Sequence, residues 1–273
     1  MGMDFGFGPL EAEFWRWMFL MTRIGAALMA APFFGAGNVP PQVRLMVTAA
    51  MALLIATYSK VAAPADLMSM AGFLAIIGEV AVGLMLGFVL QFAFATPQIA
   101  AELIGGGMGL SLASAIDPQS GAHSPALGQY FSVVMTLIFL AMGCHLQWLA
   151  LVVKSYEAFP PGQVLGSAIL APSHLGVVLG FASTMFATAV MMALPVTLAL
   201  LLVQVLAGLL SRSAPSLNLF SLGLPAGIIG GLAALLATAP MLGDRITDLA
   251  AQAITQTTQV MAGPEPAGQV MAN

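Results

Sequence analysis

Residues 67–103 read LMSMAGFLAIIGEVAVGLMLGFVLQFAFATPQIAAEL, an almost unbroken apolar run. A helix crosses a bilayer with ~20 apolar residues, so this run is longer than one crossing. Its charged residues are Glu79 and Glu102, and Pro97 lies between them. Because proline removes a helical hydrogen bond, we expect a kink or break near Pro97. The run predicts a protein built from membrane-embedded helices.

The composition of the whole chain supports the same fold class. Of 273 residues, 60% are hydrophobic and 7% are charged, whereas soluble domains carry roughly 25% charged residues. The mean hydropathy is +0.98, so most of the exterior must contact lipid or other protein. Seven Lys and Arg residues against eleven Asp and Glu residues give a net charge of -4. Membrane lipid is therefore an expected partner, and nucleic acid is excluded for want of a basic surface.

Charges, prolines and glycines divide the chain into about six apolar segments, each long enough for a membrane helix. From Asp244 the chain turns polar, and we expect a frayed end there. The prediction is an all-α integral membrane protein with one helical domain over residues 1–260 and a polar, flexible tail over residues 261–273. The six predicted helices cover residues 9–31, 41–59, 67–103, 125–159, 172–213 and 222–241.

Residues 105–121 form the first functional candidate. The stretch begins with Gly105, Gly106, Gly107 and Gly109, and so many glycines predict irregular backbone. Irregular backbone at membrane depth is tolerated only where protein buries it or where it lines a cavity. Met108 lies inside the run, and its flexible thioether suits either a gasket against a changing contact or ordinary apolar packing.

Charged residues inside apolar segments are the second candidate. Arg16 and Arg23 are seven residues apart, so they share a helical face that must meet protein or lipid head groups. Glu79 and Glu102 fit either proton or ion coupling or a contact between packed helices or subunits. On one continuous helix they would point about 140° apart, so they do not form a pair.

Glycines four residues apart recur along the chain, as in Gly83 and Gly87, Gly176 and Gly180, and Gly227 and Gly231. This small-xxx-small pattern favours close helix contacts, within the chain or with neighbouring subunits.

No motif in the sequence predicts catalysis. The three histidines are isolated from one another, and Cys144 is the single cysteine, so the spacing supports no metal site. A nucleophile elbow, a Walker A sequence and a dinucleotide fingerprint are all missing from the sequence. We expect no enzymatic activity and no cofactor.

Three stretches carry a more specific pattern. The first has Arg23, APFFG at 31–35, Val39–Pro40 and QVR at 42–44; the second has Glu79, Gly83, Gly87, DPQSG at 117–121 and LGQ at 127–129; the third has GLLSRSAP at 208–215, Asn218, Phe220 and GLP at 223–225. In order and spacing they resemble the FliR/SctT family, the export-gate subunit of flagellar and injectisome type III secretion. The DPQSG stretch favours the flagellar branch.

This resemblance implies an all-helical, non-enzymatic subunit in the bacterial inner membrane at the flagellar basal body. It would assemble with the sister proteins FliP and FliQ, and with FlhB and FlhA, into a closed channel for unfolded export substrates. It also implies a loop that plugs the channel against leakage, formed here by Gly105, Gly106, Gly107, Met108, Gly109, Leu110, Leu112, Ala115, Ile116, Asp117 and Pro118. The residues expected at subunit or helix interfaces are Arg23, Pro32, Arg44, Glu79, Glu102, Arg212, Pro215, Asn218 and Phe220.

A second hypothesis is an ion-coupled secondary transporter that uses Glu79 or Glu102 as its coupling carboxylate and the segment near Pro97 as its binding site. The chain does not show the two matched halves of many transporters. A transporter would move solute when reconstituted alone, whereas a gate subunit would be inert without its partners.

Overall fold

The computed structural model describes residues 9–35, 39–58, 69–110, 125–162, 172–213 and 223–262. These residues form helices and a few turns, with no strand among them, which confirms the predicted all-α class. The helices are α1 (Pro9–Ala30), α2 (Pro32–Gly35), α3 (Pro41–Tyr58), α4 (Met70–Gly107), α5 (Pro125–Ala141), α6 (Cys144–Ala158), α7 (Pro172–Ser213) and α8 (Leu224–Ala262).

Proline begins five of these helices, namely α1, α2, α3, α5 and α7. The first turn of a helix has backbone N–H groups without helical partners, so a residue that lacks an N–H is well tolerated there. The proline positions therefore explain why α1, α3, α5 and α7 start close to the positions expected from the sequence, whereas α2 was not expected.

Helix α4 continues through Pro97 to Gly107, so the break that the sequence allowed does not occur, whereas the kink at Pro97 stays a prediction. A proline inside a helix costs one hydrogen bond and a steric clash. Residues on both sides of it are buried, including Ala93, Phe94 and Ala100, and Phe94 packs edge-on against Phe139 at a ring separation of 5.3 Å. Packing on both flanks holds the helix together.

The predicted fourth helix is divided in two. Helix α5 ends at Ala141 and α6 starts at Cys144, because Gly143 adopts a left-handed backbone conformation with φ +68°. Glycine takes this conformation at no steric cost, and it interrupts the helical hydrogen-bond pattern. With the one-turn helix α2, this break raises the number of helices in the described ranges from the expected six to eight.

The expected frayed end from Asp244 is also wrong, since α8 runs on to Ala262. Its second half buries a set of residues spaced three or four apart, namely Leu242, Ile246, Leu249, Ala250, Ala253, Thr257 and Val260. Asp244, Arg245 and Asp248 are exposed on the opposite side. This spacing is that of an amphipathic helix, and it is visible in the sequence.

Four helices are long and apolar enough to cross a membrane, in the ranges Pro41–Tyr58, Met70–Gly107, Gly176–Arg212 and Leu224–Ala262. The pair α5 and α6 would add a fifth if the two form one broken span. The chain is therefore a membrane protein by helix length and composition.

The chain folds into two compact units. Unit 1 comprises Met1–Phe92, Gly143–Ala182 and Gln252–Asn273, and unit 2 comprises Ala93–Met142 and Ser183–Ala251. Unit 1 has its core at α1, at the first part of α4 and at the whole of α6. Unit 2 contains the end of α4, the whole of α5, and the parts of α7 and α8 that lie within Ser183–Ala251. The domain boundaries expected from the sequence stay a prediction.

Candidate functional site

The glycine-rich start of the predicted plug is helical, which corrects the expected irregular backbone at Gly105, Gly106 and Gly107. Helix α4 ends only after them, where Gly109 adopts φ +81°. The N–H of Leu110 donates to Gly105 O at 3.0 Å, and the N–H of Gly109 donates to Gly106 O at 3.1 Å. This pair of bonds is the Schellman motif, in which a left-handed glycine closes the last turn of a helix.

Met108 is the residue that fixes this helix end to its surroundings. Its side chain is buried, with 3% exposure, and lies over Gly231 of α8, whereas its backbone lies over Gly227. A Cβ atom built on Gly231 would lie 2.5 Å from both Cγ and Cε of Met108, and one built on Gly227 would lie 3.2 Å from Met108 O. The two glycines, one helical turn apart, therefore leave room for the methionine; we call Met108 with Gly227 and Gly231 the Met108 notch.

Helix α7 completes the surroundings of the notch. The side-chain amide of Gln204 donates to Gly107 O at 2.8 Å, which satisfies one of the carbonyl groups left open at the end of α4. A Cβ on Gly107 would lie 3.1 Å from Cδ1 of Leu200, and one on Gly230 would lie 2.9 Å from Cγ2 of Val203. The end of α4, α7 and α8 thus pack through small residues inside unit 2.

The structure describes only the start of the predicted plug, through Leu110. Leu112, Ala115, Ile116, Asp117 and Pro118 lie outside the described residues. The plug assignment stays a prediction for the whole segment.

The second site is a buried ionic cluster in unit 1. Nε of Arg23 on α1 donates to Oε2 of Glu79 on α4 at 2.7 Å, and both side chains are completely buried. The other Glu79 oxygen, Oε1, accepts the N–H of Gly162 at 3.4 Å. Burying two charges is tolerable only when they are paired and hydrogen-bonded, and this pair fulfils both conditions.

Arg23 also closes the end of α6. Its Nη1 donates to Ser155 O at 2.7 Å, and its Nη2 donates to Phe159 O at 2.8 Å. The guanidinium lies 4.2 Å from the ring centroid of Tyr156, a cation–π contact. We call Arg23, Glu79, Ser155, Tyr156 and Phe159 the Arg23 cluster. It joins α1, α4 and α6 by fixed, directional bonds.

Helices α1 and α4 approach closely beside this cluster because of Gly83 and Gly87. A Cβ on Gly83 would collide with Arg23 O and would lie 2.9 Å from Ala27 N. A Cβ on Gly87 would lie 2.7 Å from Ala27 O. The glycine spacing thus marks a real helix contact here, as it does at the Met108 notch. For Gly176 and Gly180 no described atom lies within 4 Å of an added Cβ.

Sequence reasoning missed the hydrogen bonds that two aromatic residues of α6 make with α1 and α4. Tyr156 and Trp148 are buried aromatic residues with polar atoms, and such atoms need hydrogen-bond partners. Tyr156 OH donates to Leu20 O at 2.7 Å, and Trp148 Nε1 donates to Leu86 O at 3.3 Å. A tyrosine and a tryptophan in an apolar helix were the available signal. Gln204, a lone amide among leucines of α7, was a similar signal.

The remaining predicted interface residues are dispersed. Arg44 donates from Nη2 to Val39 O at 3.0 Å at the start of α3, and Pro32 begins α2. Glu102 is exposed on α4, and Arg212 is exposed in the last turn of α7. Pro215, Asn218 and Phe220 lie outside the described residues. Arg16, on the same helix as Arg23, pairs with the exposed Glu13 at 3.2 Å.

Within the described ranges no three His, Cys, Asp or Glu side chains come together in a way that could hold a metal ion.

The sequence profile of a family described as "Bacterial export proteins, family 1" matches residues 14–253. The chain belongs to this family. The match covers α1 through most of α8, and so includes both the Arg23 cluster and the Met108 notch. It confirms the FliR/SctT resemblance drawn from the sequence.

Curated relatives of this export family come from both secretion branches. The flagellar biosynthetic protein FliR of Escherichia coli (strain K12) is 32% identical over 238 residues, covering 85% of this chain and 86% of the relative. FliR of Bacillus subtilis (strain 168) is 32% identical, with 76% and 80% covered. The surface presentation of antigens protein SpaR of Shigella sonnei is 30% identical, with 74% and 76% covered. These two FliR relatives are matched over slightly more of the chain than SpaR.

Proposed function

We propose that the chain is a channel-forming, non-catalytic subunit of the type III protein export gate for flagellar assembly. The observation that carries this proposal is the family match over residues 14–253, together with FliR relatives that align over most of both chains. The proposed location is the bacterial inner membrane at the flagellar basal body. FliP and FliQ are the proposed sister subunits, with FlhB and FlhA as further partners.

The exposure of the apolar helices supports an assembled state. Only 17% of the apolar window of α3, 28% of that of α7 and 17% of that of α8 is buried within the chain. Their exposed leucines must be covered by lipid or by other subunits. Gln98 and Glu102 lie four residues apart on α4, so they share one side of the helix, and both are exposed. Amide and carboxylate groups are costly against lipid, which favours protein or water on that side.

The proposed plug is the segment from Gly105 to Pro118. Its described start is anchored at the Met108 notch, so the chain that follows leaves α4 from a fixed point. Leu110, Leu112 and Ile116 supply apolar side chains of medium size. Such side chains can close a passage against ions by excluding water and still yield to an unfolded polypeptide.

The transporter hypothesis is not retained. Its first candidate carboxylate, Glu79, is completely buried and bonded to Arg23, so it has no open side for a coupling ion. The relatives named above are a flagellar biosynthetic protein and a surface presentation of antigens protein, and neither name gives support to a transporter.

Deletion of residues 106–115 tests the plug in the assembled complex. Cells that carry the complete gate with this deletion should leak small ions, measured as loss of membrane potential. An equally long deletion of residues 264–273, in the predicted tail, is the control and should leave the potential unchanged. A tight membrane in the first variant, with normal amounts of assembled complex, would overturn the plug assignment.

A further inference from the structure

At the Met108 notch, contact with α8 holds the last turn of α4 in place. Met108 comes directly before Gly109 and Leu110, the residues that close the helix. Its side chain is almost fully buried, although the segment after it is the proposed plug. The residue at the root of the plug is therefore held inside its own chain and is not free to line a passage.

The forces at the notch are of a kind that can be released and restored. The side chain of Met108 contacts Gly231 through apolar atoms, whereas Gly227 faces the backbone carbonyl of Met108. The thioether chain has three rotatable bonds. The hydrogen bond beside it, from Gln204 to Gly107 O, joins two neutral groups, so opening it costs less than separating a buried ion pair. Neither contact leaves a buried charge behind.

We propose that the Met108 notch is a latch that holds the root of the plug closed, and that Met108 leaves the notch when the gate opens. This inference rests on the proposed plug function and adds the contact that regulates it. The notch is specific in shape, because a single methyl group at Gly231 would occupy the space of the Met108 Cγ and Cε atoms. Closure depends on that space.

A reversible cross-link gives the most direct test. Since Cγ of Met108 lies 2.5 Å from the Cβ site of Gly231, the two Cβ positions are at most about 4.0 Å apart, one bond length more. Disulfides form between Cβ atoms about 3.5–4.5 Å apart, so a cysteine pair should react. The variant is Met108→Cys with Gly231→Cys, in a chain whose native Cys144 is replaced by Ala.

Export by the complete gate should fall in proportion to the cross-linked fraction, and reductant should restore it. The two single-cysteine variants and Cys144→Ala alone are the controls, and oxidant should not affect their export. Normal export through a gate that is fully cross-linked would overturn the latch. Failure of the pair to cross-link in assembled complexes would equally overturn it, because the notch would not exist there.

A second test measures leakage per assembled complex. Gly231→Ala should raise ion leakage, and Met108→Ala should raise it to a similar level. The double variant should leak no more than either single variant, because both changes remove one contact. Gly243→Ala on the same helix, where no described atom lies within 4 Å of the added methyl group, should not leak.

Comparison with the deletion of residues 106–115 separates the two proposals. If the deletion leaks but the notch variants do not, the plug stands and the latch is wrong. If the deletion does not leak, the plug function itself is wrong, whatever the notch variants do.

Discussion

The Arg23 cluster joins three helices. The Met108 notch, together with the neighbouring Gln204 of α7, also joins three, but by different means. In the cluster, a buried guanidinium donates to Glu79, Ser155 and Phe159 at 2.7–2.8 Å. In the notch, a methionine occupies space left by two glycines, with one exposed amide hydrogen bond beside it. One contact depends on charge and direction, the other on shape.

This difference determines which contact can move. Separating Arg23 from Glu79 would leave two buried charges without an opposite charge beside them. Normal fluctuations do not overcome this cost. Moving Met108 out of its notch exposes apolar surface and breaks one hydrogen bond between neutral groups. This costs far less than separating the buried ion pair. Unit 1 therefore contains a rigid connection, and unit 2 contains the part that is able to rearrange.

The largest effect is expected when the cluster loses its carboxylate. Glu79→Gln keeps the shape but leaves the Arg23 charge buried without an anion, which should cost about 3–5 kcal/mol of folding stability. Assembled gate complex should then fall sharply in yield and survive less heating, measured by size-exclusion chromatography after a temperature series. Glu13→Gln, in the exposed pair with Arg16 on α1, is the control and should change stability by less than ~1 kcal/mol.

A compensating variant sharpens this prediction. Replacing Arg23 and Glu79 together by Met removes both charges, so the complex should be more stable than with Glu79→Gln alone. It should stay below the natural chain, because Ser155 O and Phe159 O lose their guanidinium donor. Equal stability of Glu79→Gln and the natural chain would show that the pair contributes nothing.

A smaller effect is expected where α1 and α4 touch beside the cluster. In Gly83→Ala the methyl group would meet Arg23 O and Ala27 N, which are backbone atoms and cannot rotate away. The helices must separate, at a cost of about 1–3 kcal/mol, and the same heating assay should detect it. Gly176→Ala on α7, with no described atom within 4 Å of the methyl group, should be neutral or slightly stabilising; equal behaviour of the two would contradict the close contact.

The sequence predicted the helical class and most helix starts, because prolines and apolar length are local signals. It did not decide between a kink and a break at Pro97, and it missed the interruption at Gly143. Whether a proline breaks a helix depends on packing partners distant in the sequence, such as Phe139 beside Phe94. The amphipathic half of α8 was a different failure, since its three-to-four spacing was visible but its polar residues suggested a tail.

The candidate sites were predictable to different extents. Arg23, Glu79 and Met108 drew notice as unusual residues in apolar segments, and the glycine pairs indicated close contacts. That Arg23 meets Glu79, 56 residues along the chain, was not predictable, because no local pattern records which helices become neighbours. Nor was it predictable that Met108 would face α8 and not an open passage.

The smallest effect should come from the amide at the notch. Gln204→Leu removes the donor to Gly107 O while keeping an apolar side chain on α7, and an exposed bond of this kind contributes about 0.5–1.5 kcal/mol. Gate complexes should assemble normally, whereas ion leakage should rise slightly and remain below that of Gly231→Ala. Gln252→Leu, an exposed glutamine of α8, controls for the change in polarity. If Gln204→Leu lowered complex yield as much as Glu79→Gln, the notch would be a rigid contact like the Arg23 cluster, and the contrast between the two regions would fail.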